Sequence, residues 1–393
     1  MTISLWRQSM DLGTINCDVA VIGAGICGLS SAMAFTRRGL RVVVVERAHP
    51  GAGASGRNAG FLMRGAADNY WAAAREHGRE LARTLWRVSE ENLAMLKREG
   101  IEQLPSYRAR PSCLLALTED ERSQLADSAR LLAEDGFTCD VIECGKARVP
   151  HDSLWQGPMA IARGAKGLVN PHDACCNPLE LVEMLRSRAT CTILEGQDVV
   201  AIVDAGKGIE LRLTDGVVRA GRVLVATNAY AGLLIPALAR VVAPKRGQML
   251  AIEAEGRTLS MNYYANHGSE YFREGYNGTL VFGGCRKQDL ETEVGYEDRV
   301  TERVQQAIER FACEVLGTAR VRVVARWSGV MGFSPDGLPL VGSLGRDNGW
   351  NDRVWFCGGF TGHGMSLAHR TASLAAEEML GGAPSPFPLS RVL

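Results

Sequence analysis

Gly23, Gly25 and Gly28 stand in the order G-x-G-x-x-G, and Glu46 follows the last of them by eighteen residues. Residues of these types at this spacing can hold a pyrophosphate and the sugar attached to it. Gly23 permits a tight turn, Gly25 lets a pyrophosphate approach the backbone, and Gly28 lets a helix lie close against its strands. The unpaired N–H groups at that helix's N-terminus then meet the phosphates. Glu46 is placed to accept hydrogen bonds from an adenosine ribose. Taken alone, this set leaves NAD and FAD equally open.

The elements that must position these residues are legible around them. Residues 19–22 form a short apolar run, residues 29–38 carry helical spacing up to Gly39, and residues 42–45 read as a fully buried parallel strand. Near the far end, Val354-Trp-Phe-Cys-Gly-Gly-Phe-Thr-Gly-His-Gly364 repeats the order of strand, glycine turn and helix, with the helix predicted over 365–380. Directly after the first unit, residues 50–60 are too rich in glycine for a helix and too long for an idle turn.

The intervening chain makes two excursions. A long amphipathic helix is predicted over 68–97, capped by Asp68 and stopped by Gly100. Its stripe of Arg75, Arg79, Arg83 and Arg87, interleaved with Glu76 and Glu80, reads as a solvated, salt-bridged face. Residues 112–117 and the capping box Thr118-Glu-Asp-Glu121 predict a β-α-β insertion between 107 and 157. Asn177-Pro178 opens another helix. A meander follows over 199–203, 209–213 and 217–219, and a separate strand over 222–228 returns to the parallel sheet. The second excursion, 244–325, holds four predicted strands and a helix over 298–316.

Composition narrows the class. The chain has 393 residues, enough for two or three domains, and 46% of them are apolar. Lys plus Arg and Asp plus Glu balance at 44 each, so no basic field recruits nucleic acid or an anionic membrane. The eleven cysteines show neither C-x-x-C nor a metal-type Cys/His spacing, which reads as reduced intracellular thiols. The first sixteen residues lack the pattern of a signal peptide, and the longest apolar region, 223–243, is broken by Thr227, Asn228, Pro236 and Arg240. A soluble cytoplasmic protein is the expectation.

A sheet begun at one end and finished by a second glycine-rich helix start suits a flavin, because a helix N-terminus aimed at the reduced ring stabilises its charge. The chain resembles the amino-acid and amine oxidase family of FAD flavoproteins. The motifs that carry the resemblance run in family order over nearly the whole chain. After residues 18–47 they are Gly53-Ala-Ser-Gly-Arg-Asn-Ala-Gly60, Gly167-Leu-Val-Asn-Pro171, Leu224-Val-Ala-Thr-Asn-Ala-Tyr230 and Lys245-Arg-Gly-Gln-Met249. Trp327-Ser-Gly-Val-Met-Gly-Phe-Ser-Pro-Asp-Gly-Leu-Pro-Leu-Val-Gly342 and Gly358-Gly-Phe-Thr-Gly-His-Gly-Met365 complete them. The Ala-Ser-Gly-Arg-Asn loop, with Ser4-Leu-Trp6, is most similar to the γ-glutamylputrescine oxidase branch.

The resemblance implies an α/β plus α+β fold. A discontinuous Rossmann-type FAD-binding domain of the glutathione-reductase kind is expected over 1–100, 165–238 and 327–393, with a discontinuous β-sheet substrate domain over 101–164 and 239–326. FAD is expected along Gly23, Gly25, Ile26, Cys27, Gly28, Glu46 and Arg47, and along Ala54, Ser55, Arg57, Asn58, Ala59 and Gly60 of the loop. Val199, Thr227, Asn228 and Gly329 continue the site, which Gly359, Thr361, Gly362, His363, Gly364 and Met365 close. The cysteine that links flavin covalently in sarcosine oxidases would align with Gly329, so non-covalent FAD is expected.

The resemblance also implies a reaction: oxidation of a carbon–nitrogen bond of a small amine or amino acid to an imine, with O₂ as acceptor and H₂O₂ as product. A dehydrogenase using a quinone or carrier protein, and a flavin protein without turnover, are the alternatives. Lys287 falls near the oxygen-activating lysine of sarcosine oxidases, with Arg286 competing for that role and a surface loop as the plain reading. The carboxylate anchors of the family fall at Met331 and Ser366, where no cation stands. Arg64 matches a further anchor and otherwise reads as an exposed loop residue. The cluster Tyr263, Tyr264, Tyr271, Phe272 and Tyr276 either steers a cationic amine, with Tyr264 as a candidate site residue, or belongs to the core. His363 either hydrogen-bonds the ring or substrate or simply shapes its turn.

Overall fold

The computed structural model describes residues 12–66, 68–143, 166–259, 261–345 and 349–393. The Ser4-Leu-Trp6 motif lies outside them. Among the described residues the chain forms two large sheets. The first is built on Thr14–Ile22, which pairs in parallel with Val42–Val45 on one side and Val217–Val225 on the other. Thr192–Leu194 extends it beyond Val42–Val45. Val19, Val21, Val42 and Val44 face one hydrophobic core while Ala20, Ile22, Val43 and Val45 face another, so the run of valines is buried on both faces.

Val217–Val225 is a single nine-residue strand, not the end of a meander followed by a separate strand. Its first half pairs antiparallel with Ile209–Leu213 and its second half in parallel with Val354–Gly358. Gly221 and Arg222 break the apolar pattern because they are exposed between these two pairings, which is why residues 217–228 looked like two elements. The helices Ile26–Thr36 and Gly364–Met379 pack against each other on one face of this sheet. The first is apolar almost all round, as expected for a buried helix, whereas the second turns Arg370, Glu377 and Glu378 to a partly exposed, ion-paired face.

The second sheet runs in the order Val323–Phe333, Ala243–Glu253, Thr279–Gly284, Glu270–Glu274, Asn262–Ala265, Ser112–Ala116, Lys166–Asn170 and Asp140–Glu143. Only the contact between Asn262–Ala265 and Ser112–Ala116 is parallel. The insertion after residue 107 has its β-α-β order, but Lys166–Asn170 sits between its two strands, antiparallel to both. The helix Glu302–Leu316 packs on this sheet through Val304, Ile308, Phe311 and Val315, and Gly317 ends it at φ +62°.

Three expectations need correction. The strands at 166–170 and 323–333 hydrogen-bond to the second sheet, so boundaries at 165 and 327 would separate them from their partners. The helix expected over 68–97 is two helices, Tyr70–His77 and Arg79–Arg98, broken where Gly78 takes φ +84°, and its cap is Asn69 rather than Asp68. Two arginines of the stripe are ion-paired, with acids other than Glu76 and Glu80. Arg79 reaches Glu134 and Asp135 at 2.8 and 3.0 Å and Arg87 pairs with Glu90 at 3.3 Å, while Arg75 lies over the Trp71 ring. No helix among the described residues is long and apolar enough to cross a membrane.

Candidate active site

A crevice of about 760 Å³ opens at the C-terminal ends of the first sheet's parallel strands. Gly23, Gly25, Glu46, Arg47, Ser55, Val199, Thr227 and Asn228 line it. Gly23 turns at φ +102°, and a Cβ there would stand 3.0 Å from the Ala226 carbonyl oxygen. A Cβ on Gly28 would stand 1.8 Å from the Gly23 carbonyl oxygen, so only glycine lets the helix sit this close to the turn. The Glu46 carboxylate accepts from Ala24 N–H at 2.8 Å and Ala48 N–H at 2.9 Å. Two backbone donors thus hold it still at the edge of the crevice.

The residues flanking this turn have distinct tasks. Ser55 Oγ accepts from Ile26 N–H at 3.0 Å, which docks the short helix Ala54–Arg57 against the start of the first long helix. The Ile26 and Cys27 side chains point into the core, where Cys27 Sγ lies 3.3 Å from Cys357 Sγ. Asn228, at φ +46°, accepts from Gly359 N–H at 2.9 Å and ties the two strand ends together. The buried Thr227 hydroxyl has no partner among the described residues. An orphaned hydroxyl in a polar crevice is a group kept for something that binds there.

Sequence reasoning missed Tyr230, Tyr296 and Asp298 as lining residues. Tyr230 stacks under the Arg47 guanidinium at 4.9 Å and against Tyr296 at 5.9 Å. Asp298 was expected at a helix start, but that helix begins four residues later, and Asp298 instead pairs with Arg57 at 2.7 Å. The Asn228-Ala-Tyr230 motif carried a signal for the first of these. The other two carried none, since they come from an irregular segment.

A second cavity of about 430 Å³ adjoins the crevice at Ala54, with Gly329 and Val330 facing one cavity each. The loop residues Arg57, Asn58, Ala59 and Gly60 form one wall, and Thr361, Gly362, His363 and Met365 another. Asn58 braces the loop by donating to the Ala54 and Ser55 carbonyls while accepting from Gly60 N–H at 2.7 Å. Gly364 opens the closing helix, with His363 at its N-cap. The second sheet supplies the rest: Met249, Tyr264, Tyr271, Met331 and Phe333 face inward, and Phe61 meets Tyr264 and Tyr271 edge-on at 5.2 and 6.0 Å.

Strand alternation divides the aromatic cluster. Tyr264 and Tyr271 face the cavity, while their neighbours Tyr263 and Phe272 stack on each other at 4.9 Å in the core behind. Tyr276 is 58% exposed and takes no part. Burial raises the phenols of Tyr264 and Tyr271, the latter to about 12, so both stay protonated as donors.

The candidate charged groups separate sharply. Arg64 is neither exposed nor directed into the cavity: its guanidinium binds Glu90 at 3.2 Å, the Thr138 carbonyl at 2.6 Å and Asn170 at 2.7 Å, and it lies over Phe137. Tyr70, Phe137 and Trp86 pack behind it, a hydrophobic seat that turns the side chain away from the loop face. Lys287 lines the cavity but is exposed, whereas Arg286 is half-buried with its guanidinium 4.7 Å over the Phe333 ring. Ser366 and Met331 both line the cavity, and Ser366 Oγ accepts from Met63 N–H at 3.0 Å. His363 Nδ1 lies 3.0 Å from the Thr361 carbonyl, which can only accept, so Nδ1 carries the proton. Burial holds this ring's pKa below the usual histidine range.

Comparison with known proteins places this arrangement. A family model described as FAD dependent oxidoreductase matches residues 18–378. The γ-glutamylputrescine oxidoreductase of Escherichia coli is 25% identical over 97% of this chain and 90% of its own. A glycine oxidase of Pseudomonas aeruginosa is 24% identical over 93% and 95%. The crystal structure of glycine oxidase from Geobacillus kaustophilus superimposes with a TM-score of 0.79 at 22% identity, covering 96% of this chain and all of that one. L-Proline dehydrogenase from P. horikoshii gives 0.78 at 19% identity, covering 96% of both. With its glycine turn, its held carboxylate and its closing glycine helix in the positions described, the chain belongs to the family of FAD-dependent oxidoreductases that includes glycine oxidase and γ-glutamylputrescine oxidoreductase, enzymes acting on C–N bonds.

Proposed function

We propose that the protein oxidises the C–N bond of a small primary or secondary amine or amino acid to an imine, with O₂ as acceptor and H₂O₂ as product. The imine then hydrolyses to an aldehyde or keto product and an amine or ammonia. The observation that carries this reading is the junction at Ala54, where a dinucleotide crevice meets an aromatic-walled cavity of small-molecule size. FAD, when bound, supplies the acceptor for the electron pair and hydrogen that leave the C–N bond.

The chain's own residues divide the remaining tasks. Glu46, Thr227 and the amides around Gly25 are fitted to the adenosine and pyrophosphate end, and the Thr361–Met365 turn to the ring end. Gly329, in place of a linking cysteine, supports non-covalent attachment. Phe61, Tyr264 and Tyr271 exclude water and present ring faces and edges to an ammonium group. His363 is held neutral, with Nε2 left as an acceptor that can take the proton an amine must lose before oxidation. Lys287 places a positive charge at the cavity rim, where it favours reduction of O₂. The first sheet with its helices forms the FAD-binding part in this reading, and the second sheet the substrate part.

Anaerobic titration with a panel of amines and amino acids tests the reading directly. A substrate bleaches the flavin absorbance without any added nicotinamide, and readmitted air restores the colour with stoichiometric H₂O₂. Bleaching by no member of the panel would refute the oxidation. Turnover with an artificial acceptor but no H₂O₂ would replace O₂ by a carrier.

A further inference from the structure

Arg286 is held in an unusual electrostatic position. The strand Thr279–Gly284 ends in a sharp turn, with Gly284 at φ +104° and Cys285 at φ +55°, and the next residue is swung back over the cavity. A left-handed backbone at a non-glycine residue costs on the order of 1 kcal/mol, so the turn is kept against a penalty. Its result is a half-buried guanidinium that stacks on Phe333 and meets no carboxylate among the described residues. An acid whose charge acts on it, Glu293, is already engaged by Arg246 at 3.1 Å and Gln248 at 2.8 Å.

A second cation makes the imbalance larger. Lys245 Nζ lies 4.8 Å from the same Phe333 ring, so two positive groups share one aromatic side chain, and neither is ion-paired among the described residues. Burial, and for Lys245 the Arg286 charge as well, pushes both below their ordinary pKa values. The other charged groups lining the cavity do not compensate. Arg57 is paired with Asp298, and Asp68 is exposed. Desolvated cations without a counter-ion are unfavourable unless a ligand brings one.

The position of Arg286 also says where that ligand charge would sit. Its neighbours Lys287 and Gln288 are exposed, as is the lining residue His267, so the guanidinium stands at an opening of the cavity. Met365 and Ser366, just past the glycine turn, form a buried part of the wall. We infer that Arg286 is the anchor for a carboxylate carried by the substrate at a distance from its reacting amine. The substrate class is then a linear amino acid whose amine and carboxylate are separated by more than one carbon. Arg286 would hold the carboxylate by paired N–H donors, with Lys245 adding charge behind the ring.

This inference rests on the amine-oxidising reading of the cavity, so its test begins with simple carboxylates, which have no C–N bond to oxidise. Acetate, butyrate and valerate are titrated into FAD-loaded protein, followed by changes in the flavin spectrum, alongside the matched pairs glycine and methylamine, and 4-aminobutyrate and propylamine. The expected result is that butyrate and valerate bind more tightly than acetate, and that 4-aminobutyrate outbinds propylamine. In Arg286→Leu that preference should fall by roughly 30-fold, with Arg286→Lys recovering part of it and FAD content and Tm matching the wild type. Equal preference in wild type and Arg286→Leu would overturn the anchor even if amines bleach the flavin. A preference for glycine over 4-aminobutyrate would overturn the spacing. Loss of carboxylate binding in Arg286→Leu with no bleaching by any amine would leave the anchor standing and remove the oxidation.

Discussion

The crevice and the cavity are built by different means. In the crevice, backbone does most of the work: the turn at Gly23, the close approach at Gly28 and the amides that hold Glu46 are set by a few residues close in sequence. The cavity is walled by the loop before Phe61, by side chains from strands of the second excursion and by the strand Val323–Phe333, and a half-buried guanidinium that meets no carboxylate among the described residues arrives on an irregular turn. A ligand common to a family can be met by backbone geometry that tolerates no variation. A ligand that differs between members must be met by side chains, which can change without disturbing the sheet beneath.

One buried pair joins the two regions and gives the largest expected effect. Arg246 and Glu293 are 1% and 0% exposed, and Arg246 also binds the Thr292 and Glu297 carbonyls. They hold the segment that carries Arg286 toward the cavity and Asp298 toward the crevice. Arg246→Met leaves a buried carboxylate unpaired and should cost about 3–5 kcal/mol in denaturant unfolding, with FAD content and carboxylate binding falling together. Loss of one without the other would show that the regions are held independently.

Gly28→Ala should damage the crevice first. Its Cβ has nowhere to go, so a loss of about 3 kcal/mol is expected, read as a fall in Tm and in the ratio of FAD to protein. A variant that purifies with full FAD would contradict the close approach. Thr227→Val is gentler and more discriminating. It should weaken FAD binding about fivefold while leaving the Tm of the apoprotein no lower, because the hydroxyl is unpaired until the cofactor arrives. A fall in apoprotein Tm would mean that the hydroxyl already has a partner.

The smallest effect is expected at the cavity rim. Lys287 is exposed and its charge is screened, so Lys287→Met should slow reoxidation by O₂ about threefold in stopped-flow mixing. An unchanged rate would remove Lys287 from the reaction with O₂.

The same contrast explains what could be read in the sequence. The strand, glycine turn, helix and acid of the opening unit were legible because each has a local cause. The capping box at Thr118 and the N-cap at Asn177 were legible for the same reason. Arg64 was misplaced because its direction depends on Glu90, Asn170 and the Phe137 ring, which come from three separate elements. The split of Tyr263 from Tyr264 follows from strand alternation, but which face meets the cavity depends on the crossing of the two sheets. The break at Gly78 was hidden by apolar spacing that continues across it.

The central strand Val217–Val225 has a consequence for how the molecule is made. It is flanked on one side by Thr14–Ile22 and on the other by Val354–Gly358, and Cys27 touches Cys357 across a separation of 330 residues. The crevice therefore has its phosphate turn in the chain long before its closing strand and helix follow. Contacts of such long range form late and slowly. The glycine fingerprint is made some 330 residues before the strand that completes it, so a finished crevice waits on the closing strand and helix.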